Sequence, residues 1–84
     1  MMHYAPAYTQ AALDALVQAG RSQRKRAIAV IETLRLHPHQ SGDCVIDAIA
    51  DRDCTVLLRA GVLLTYWVDD AVCEIRIIAI DWVD

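Results

Sequence analysis

The sequence predicts an α+β domain in which an N-terminal antiparallel helical hairpin covers one face of a three- to four-stranded antiparallel sheet. Three observations support this fold class. Apolar residues recur at helical spacing between residues 6 and 36, whereas the stretch 44–83 alternates in the manner of β-strands. Within that stretch, 62–83 forms two long apolar arms around a short polar break, as a hairpin does. The 84 residues make one domain, 1–84, and their 56% hydrophobic content favours an ordered core.

The first helix is predicted from about Pro6 to Ala19. Proline suits the first turn of a helix, and the glycine that follows Ala19 is a typical stop. A very short edge strand at residues 2–4 is predicted before it, because Pro6 prevents pairing beyond that point. Small residues dominate this helix, which indicates close packing against a neighbour.

A second helix is predicted from an N-cap at Ser22 to about Leu36, where the following His-Pro-His segment ends it. The first turns of this helix are basic. Positive charge there opposes the helix dipole and costs a few tenths of a kcal/mol per residue, roughly. The charges form either a solvated face or a surface that meets an acidic partner. The candidate partner-binding residues are Arg21, Arg24 and Lys25, with Arg26 beside them.

Three to four antiparallel strands are predicted to follow. They cover about Cys44–Ile49, Thr55–Ala60 and the two arms of the hairpin. On the last arm the residues expected to face the helices are Cys73, Ile75, Ile77 and Ala79. Strict alternation then places three large apolar residues on the uncovered face, namely Ile78, Ile80 and Trp82. Because such a patch on a small domain marks an interface, we expect a protein partner, or a second copy in a homodimer, to bind there.

Charge is divided between the two halves of the chain. Residues 1–42 hold five basic and two acidic residues, whereas residues 43–84 hold three basic and nine acidic residues. A phosphate backbone needs clustered positive charge, so nucleic acid is not expected as a strong direct ligand of the sheet. No apolar run approaches the roughly 20 residues of a membrane span, and the N-terminus lacks a signal pattern. The prediction is therefore a cytoplasmic protein without membrane contact.

Metal and cofactor sites are not expected. Cys44, Cys54 and Cys73 are odd in number and widely spaced, so they are predicted to be reduced thiols that pack as small hydrophobes. His37 and His39 have no nearby thiol or carboxylate to complete a ligand set. The phosphate-binding loops and hydrolase motifs are missing from the sequence, which favours a role other than that of an enzyme.

Two segments resemble the RelE/ParE toxin superfamily of bacterial toxin–antitoxin modules, which includes plasmid-stabilisation proteins. The segment LRLHPHQSGD is similar to the connection that follows the second helix in that family, through Leu34, Pro38, Gly42 and Asp43. The segment LLRAGVLLTYWVDDAVCEIRIIAI is similar to the sheet of the family. The matching residues are Arg59, Gly61, Tyr66, Val68, Asp69, Ile75, Ile77 and Ile80. These features occur in the same order as in the family, and the resemblance spans nearly the whole chain.

The resemblance implies a toxin that binds a macromolecular target and is neutralised by an antitoxin protein. Two alternatives stay open: a degenerate relative that serves as an interaction or dimerisation module, and a ribosome-dependent mRNA interferase. For an interferase the candidate catalytic residues are Arg59, Arg52 and Tyr66, although Tyr66 suits core packing better. The chain departs from the nuclease pattern at Leu63, where the family often has arginine, and in its acidic C-terminal residues.

Overall fold

The computed structural model describes residues 3–39, 44–49 and 52–83, with the side chains of 44–49 and of Arg52 outside the description. The elements in chain order are β1 (Ala5–Tyr8), α1 (Gln10–Gln18), α2 (Arg21–Leu36), β2 (Cys44–Ile49), β3 (Arg52–Arg59), β4 (Val62–Asp69) and β5 (Glu74–Trp82). The strands form one sheet in the order β1-β5-β4-β3-β2. The predicted α+β class is confirmed.

The prediction of a wholly antiparallel sheet is wrong, because β1 pairs with β5 in parallel. The predicted edge strand was also misplaced: residues 3 and 4 are not in a strand, Met2 lies outside the described residues, and β1 begins at Ala5. Pro6 lies inside β1, opposite Ile75. A proline is tolerated there because β1 is an edge strand, where one side of the backbone needs no partner.

Helix α1 begins after Thr9 and not at Pro6 as predicted. The Thr9 hydroxyl accepts the backbone N–H of Ala12 at 3.1 Å, which caps the helix, and donates to the carbonyl of Ile78 at 2.7 Å. The Thr9 N–H donates to the carbonyl of Ile77 at 3.1 Å. One threonine therefore ends β1, starts α1 and anchors both to β5.

Helix α2 has its N-cap at Gly20 and not at the predicted Ser22. Glycine has no side chain that could cap the helix. Instead, the side-chain oxygen of Gln23, in the first turn, accepts the backbone N–H of Gly20 at 3.2 Å. The C-terminal end at Leu36, before Pro38, is as predicted. The antiparallel packing of the two helices stays a prediction.

A β-bulge interrupts the pairing of β4 with β5. Tyr66 lies opposite Ile77 and Thr65 lies opposite Ala79, so Ile78 is the extra residue between them. Beyond the bulge the alternation of β5 is inverted. Ile80 is consequently 4% exposed and Trp82 packs against the core, so the prediction that both lie on the uncovered face is wrong.

One apolar core joins the helices to the sheet. It takes residues from both helices and from the three central strands: Ala12, Ala27, Val30, Ile31, Leu34, Leu57, Val62, Leu64, Tyr66, Ile75, Ile77 and Ile80. The burial predicted for Ile75 and Ile77 is confirmed, whereas Ala79 lies outside this cluster because of the bulge. Within the described part of the chain, no helix has the length and apolar character needed to cross a membrane.

Candidate functional site

Two of the three candidate catalytic residues, Tyr66 and Arg59, have described side chains, and they lie apart along the sheet. Tyr66 is 1% exposed and belongs to the core, so the expectation that it packs there is confirmed. Arg59 is exposed at the end of β3, opposite Val62, whereas Tyr66 lies opposite Thr55. Four residues of extended strand separate those two positions by about 13 Å. The side chain of Arg52 lies outside the described residues. A catalytic role of these residues stays a prediction.

The side of the sheet away from the core is the remaining large surface, and we call it the open face. Strand alternation and the bulge place there Val56, Leu58, Leu63, Thr65, Trp67, Arg76, Ile78 and Ala79. A depression of about 200 Å³ is lined in part by Trp67, Arg76 and Ile78. Leu58 is 42% exposed. The open face is thus mainly apolar, and of the three residues predicted to form it only Ile78 remains.

Arg76 is the cation in the middle of the open face, and its charge is used locally. Its guanidinium lies 5.7 Å from the centroid of the Trp67 ring, a cation–π distance. Its Nη2 atom is 2.9 Å from a carboxylate oxygen of Glu74 and 3.8 Å from one of Asp69. Among the side chains described on this face, Arg76 is the one cation, and two acids neutralise it. The charge of Arg76 is therefore compensated within the open face.

Arg24, one of the basic residues at the start of α2, binds the end of α1. Arg24 donates from Nε to the carbonyl of Leu16 at 2.9 Å and from Nη2 to those of Val17 and Ala19 at 3.0 and 3.1 Å. These carbonyls end α1, where orphan acceptors and the negative end of the helix dipole favour a cation. Arg24 is thus a cap for the preceding helix. The predicted partner-binding role stays a prediction for Arg24 as for Arg21 and Lys25, and all three residues are exposed.

A polar cluster joins three segments at one end of the sheet. Asp70, in the β4–β5 turn, accepts the Tyr4 hydroxyl at 2.6 Å and lies 2.8 Å from Nε2 of His39. The Tyr4 and His39 rings meet edge to face, 6.1 Å between centroids. The hydrogen bond to Asp70 raises the pKa of Tyr4 to about 12. The same bond, followed by that of His39, lowers the pKa of the Asp70 carboxyl.

The described cysteines and histidines do not form a metal site. Within residues 3–39 and 52–83, no three side chains of the metal-ligating types lie close enough together to hold an ion. Cys54 is buried and Cys73 is half-buried, while the side chain of Cys44 lies outside the described residues. The pairing of His39 with Asp70 gives that histidine a structural partner.

Solved structures of toxins from three organisms share this architecture. The RelBE2 toxin–antitoxin complex of Mycobacterium tuberculosis matches with a TM-score of 0.76 and 18% identity, over 96% of this chain and 99% of that one. The RelE–RelB complex of Pyrococcus horikoshii matches with a TM-score of 0.72 and 17% identity, over 96% of each chain. The fold is that of the RelE toxins. The isolated RelE toxin of Escherichia coli also matches, with a TM-score of 0.72 and 17% identity, over 96% of this chain and 85% of that one.

By sequence alone, no family model and no curated protein matches the chain. The RelE fold was nevertheless predictable from the order of its motifs, whereas several contacts were not. Strand alternation gave no signal for the bulge at Ile78, which exchanges the faces of the residues after it. The basic turn of α2 was visible, but its use as a cap for α1 requires knowing that Arg24 approaches three carbonyls of α1 and of the residue after it.

Proposed function

We propose that this chain is the toxin component of a type II toxin–antitoxin module, neutralised by an antitoxin protein. The observation that carries the proposal is the match of nearly the whole chain to RelE chains, including those solved in complex with RelB. The motif order between Leu34 and Ile80 points to the same superfamily. Homodimerisation and a role in plasmid stabilisation remain finer predictions within this proposal.

The geometry favours binding of a macromolecular target over cleavage of mRNA. An interferase needs cations and acid–base groups beside the scissile phosphate. Here Tyr66 is buried, Arg59 lies about 13 Å away along the sheet, and Arg76 is neutralised by Asp69 and Glu74. Cleavage would then have to rely on groups that these side chains do not provide.

We further propose that the antitoxin covers the open face. Among the described elements both helices pack on the opposite side, and on the open face Leu58 is 42% exposed while Trp67 and Ile78 are half-buried. Contiguous apolar surface on a small domain marks an interface, and tryptophan is a frequent anchor in such contacts. Self-association through this face is the competing occupant, and it would give a homodimer.

Growth assays test the proposed function. We expect induction of this chain in bacteria to arrest growth. Co-expression of a candidate antitoxin should restore growth, and the antitoxin should copurify with the chain. Primer extension on ribosome-bound message should show no specific cuts. Specific cuts that disappear in Arg59→Ala would favour the interferase. Complex formation without growth arrest would favour the degenerate interaction module.

Two apolar-to-acidic substitutions test the open face. We expect Ile78→Asp to weaken antitoxin binding by at least about tenfold, because a carboxylate would be buried at the interface without a partner. Val72→Asp is the matched control, since Val72 is 57% exposed in the β4–β5 turn. Light scattering on both variants separates antitoxin binding from self-association. Equal binding by the two variants would place the antitoxin elsewhere.

A further inference from the structure

The two helices carry a second apolar surface, outside the core that joins them to the sheet. Three of its side chains are large and exposed: Leu13 is 44% exposed, Val17 67% and Ile28 47%. An open crevice of about 300 Å³ lies between the helices and is lined by Leu16, Val17, Arg24 and Ile28. Leu13 is four residues before Val17 and therefore extends the same side of α1. We call Leu13, Leu16, Val17 and Ile28 the helix surface.

Two uncompensated cations border the helix surface. Lys25 lies three residues before Ile28, and Arg21 lies four residues before Lys25, so both are on the Ile28 side of α2. Both are exposed, and within the described part of the chain neither makes a hydrogen bond or an ion pair. The acid on the same side of α2, Glu32, is already paired with Arg35 at 2.8 Å. The border of the helix surface is therefore positive.

The position of these cations is unfavourable for the helix itself. The first turn of α2 contains no acidic residue, although the positive end of the helix dipole favours negative charge there. Arg24 has a local use, since it caps α1, whereas Arg21 and Lys25 have no such contact among the described residues. Carboxylates on a partner would compensate both charges.

An apolar centre with a cationic border fits the surface of a protein. Such a partner can place aliphatic side chains on Val17 and Ile28 and carboxylates beside Arg21 and Lys25. A nucleic-acid backbone could meet the two cations, but it offers no apolar groups to the exposed side chains, and phosphates desolvated against them would find no hydrogen bond. The combination of apolar and positive groups therefore favours a protein over a nucleic acid.

A membrane and a second copy of the chain fit less well. Asp14 and Glu32 are exposed, and they lie within one helical turn of Val17 and Ile28 respectively. An anionic bilayer would have to approach these two carboxylates as closely as the cations. A symmetric dimer brings the same surface of both copies together, so the cations of one copy would face those of the other.

We propose that the helix surface binds the target of the toxin, and that this target is a protein with an acidic and aliphatic surface. The inference rests on the proposed toxin function and names the chemical class of its target. It also separates two interfaces, because the antitoxin is proposed to cover the open face, on the other side of the sheet. The antitoxin would then exclude the target by its bulk and not by contacting the same residues.

Two double variants test the two parts of the helix surface in the growth assay. Arg21→Gln/Lys25→Gln removes the cations, and Val17→Gln/Ile28→Gln removes exposed apolar groups. Neither should unfold the chain, because the first relieves unfavourable charge at a helix N-terminus and the second introduces a better helix former. We expect each to raise the number of colonies that survive induction by at least about tenfold. Full arrest by either variant would overturn the proposal. Loss of arrest in the charge variant alone would indicate a phosphate backbone.

Matched controls separate the surface from overall charge. Ala11→Glu/Val72→Glu also lowers the net charge by two units, at exposed positions outside the helix surface. Ala11 lies on the opposite side of α1 from Leu13. Arg21→Lys/Lys25→Arg keeps both charges in place. Both controls should arrest growth as the wild type does. If either control abolished arrest, charge complementarity at the helix surface would not explain the effect, and the proposal would be wrong.

Copurification and binding assays on the same variants identify the occupant. Both test variants should still copurify with the antitoxin, which also shows that they are folded. Loss of the antitoxin would place it on the helix surface, contrary to the proposal. Light scattering and flotation with phosphatidylglycerol vesicles should give equal results for the wild type and Arg21→Gln/Lys25→Gln. Self-association or vesicle binding that this variant abolishes would overturn the proposal. A wild type that does not arrest growth would refute the toxin function as well, whereas arrest by every variant would refute this inference alone.

Discussion

The two faces of the sheet are built from similar residues but have different environments. On the covered face, Leu64, Tyr66, Ile75 and Ile77 are at most 1% exposed under the helices. On the open face, Trp67 and Ile78 are half-buried, and Arg76 stands among them with its two acids. The comparison shows that hydrophobicity alone does not decide which side of a strand becomes core. The bulge and the position of the helices decide it.

Neighbouring isoleucines give the largest expected contrast between the faces. Ile77 is fully buried, so Ile77→Ala should cost about 2–5 kcal/mol of unfolding free energy through lost burial and a residual cavity. Ile78 lies on the open face, so Ile78→Ala should cost less than about 1 kcal/mol. Urea denaturation of the two variants measures both values. Equal costs would mean that another layer covers the open face.

The features of the fold that the sequence predicted are those set by residues close together in sequence, and the features it missed depend on residues far apart. The two ends of β2 and the C-terminal end of α2 follow from local pattern and from Pro38, and they were predicted. The parallel pairing of β1 with β5 joins the two ends of the chain, and alternation within β1 contains no information about its partner. The exchange of Ile80 from the open to the covered face depends on one inserted residue, which leaves no periodic signal.

The same distinction holds for the candidate sites. The positive charge of α2 was predictable, because charge is a property of the sequence. The approach of Arg26 in α2 to the carbonyl of Ala60, 34 residues away in sequence, was not. The hydrogen bond between Tyr4 and Asp70, 66 residues apart in sequence, likewise depends on the tertiary structure and could not be predicted from local pattern.

A smaller effect is expected where Thr9 fixes the bulge that separates the two faces. Thr9→Ala removes the cap of α1 and the hydrogen bond to the carbonyl of Ile78. Loss of the cap costs about 0.5–2 kcal/mol, and the lost bond to Ile78 adds about 1 kcal/mol. Thr9→Ser keeps the hydroxyl and should retain most of the stability. If both variants were equally unstable, the methyl group and not the hydroxyl would be the important part of Thr9.

The smallest expected effect concerns the edge where the two faces meet, at the cluster of Tyr4, His39 and Asp70. Tyr4 packs against the core of the covered face, while its hydroxyl reaches Asp70 in the turn. Hydrogen bonds from Tyr4 and then His39 lower the pKa of Asp70 in the folded protein. The stabilisation is therefore present above the pKa of this carboxyl in the unfolded chain and is lost as pH falls through its folded pKa.

Tyr4 should titrate in the opposite sense at high pH. Its pKa rises from 10.0 to about 12, chiefly through the hydrogen bond to Asp70, so the folded state favours the protonated phenol. The resulting stabilisation is complete below pH 10.0 and is lost as pH rises towards about 12. Ultraviolet titration of phenolate should show a step near that value in the wild type that is missing in Tyr4→Phe. In Asp70→Asn the titration of Tyr4 should move back towards 10.0, because the carboxylate that opposes a phenolate charge is gone. An unchanged titration in Asp70→Asn would show that Asp70 does not hold the Tyr4 hydroxyl, and hence that this edge of the sheet is closed by apolar packing alone.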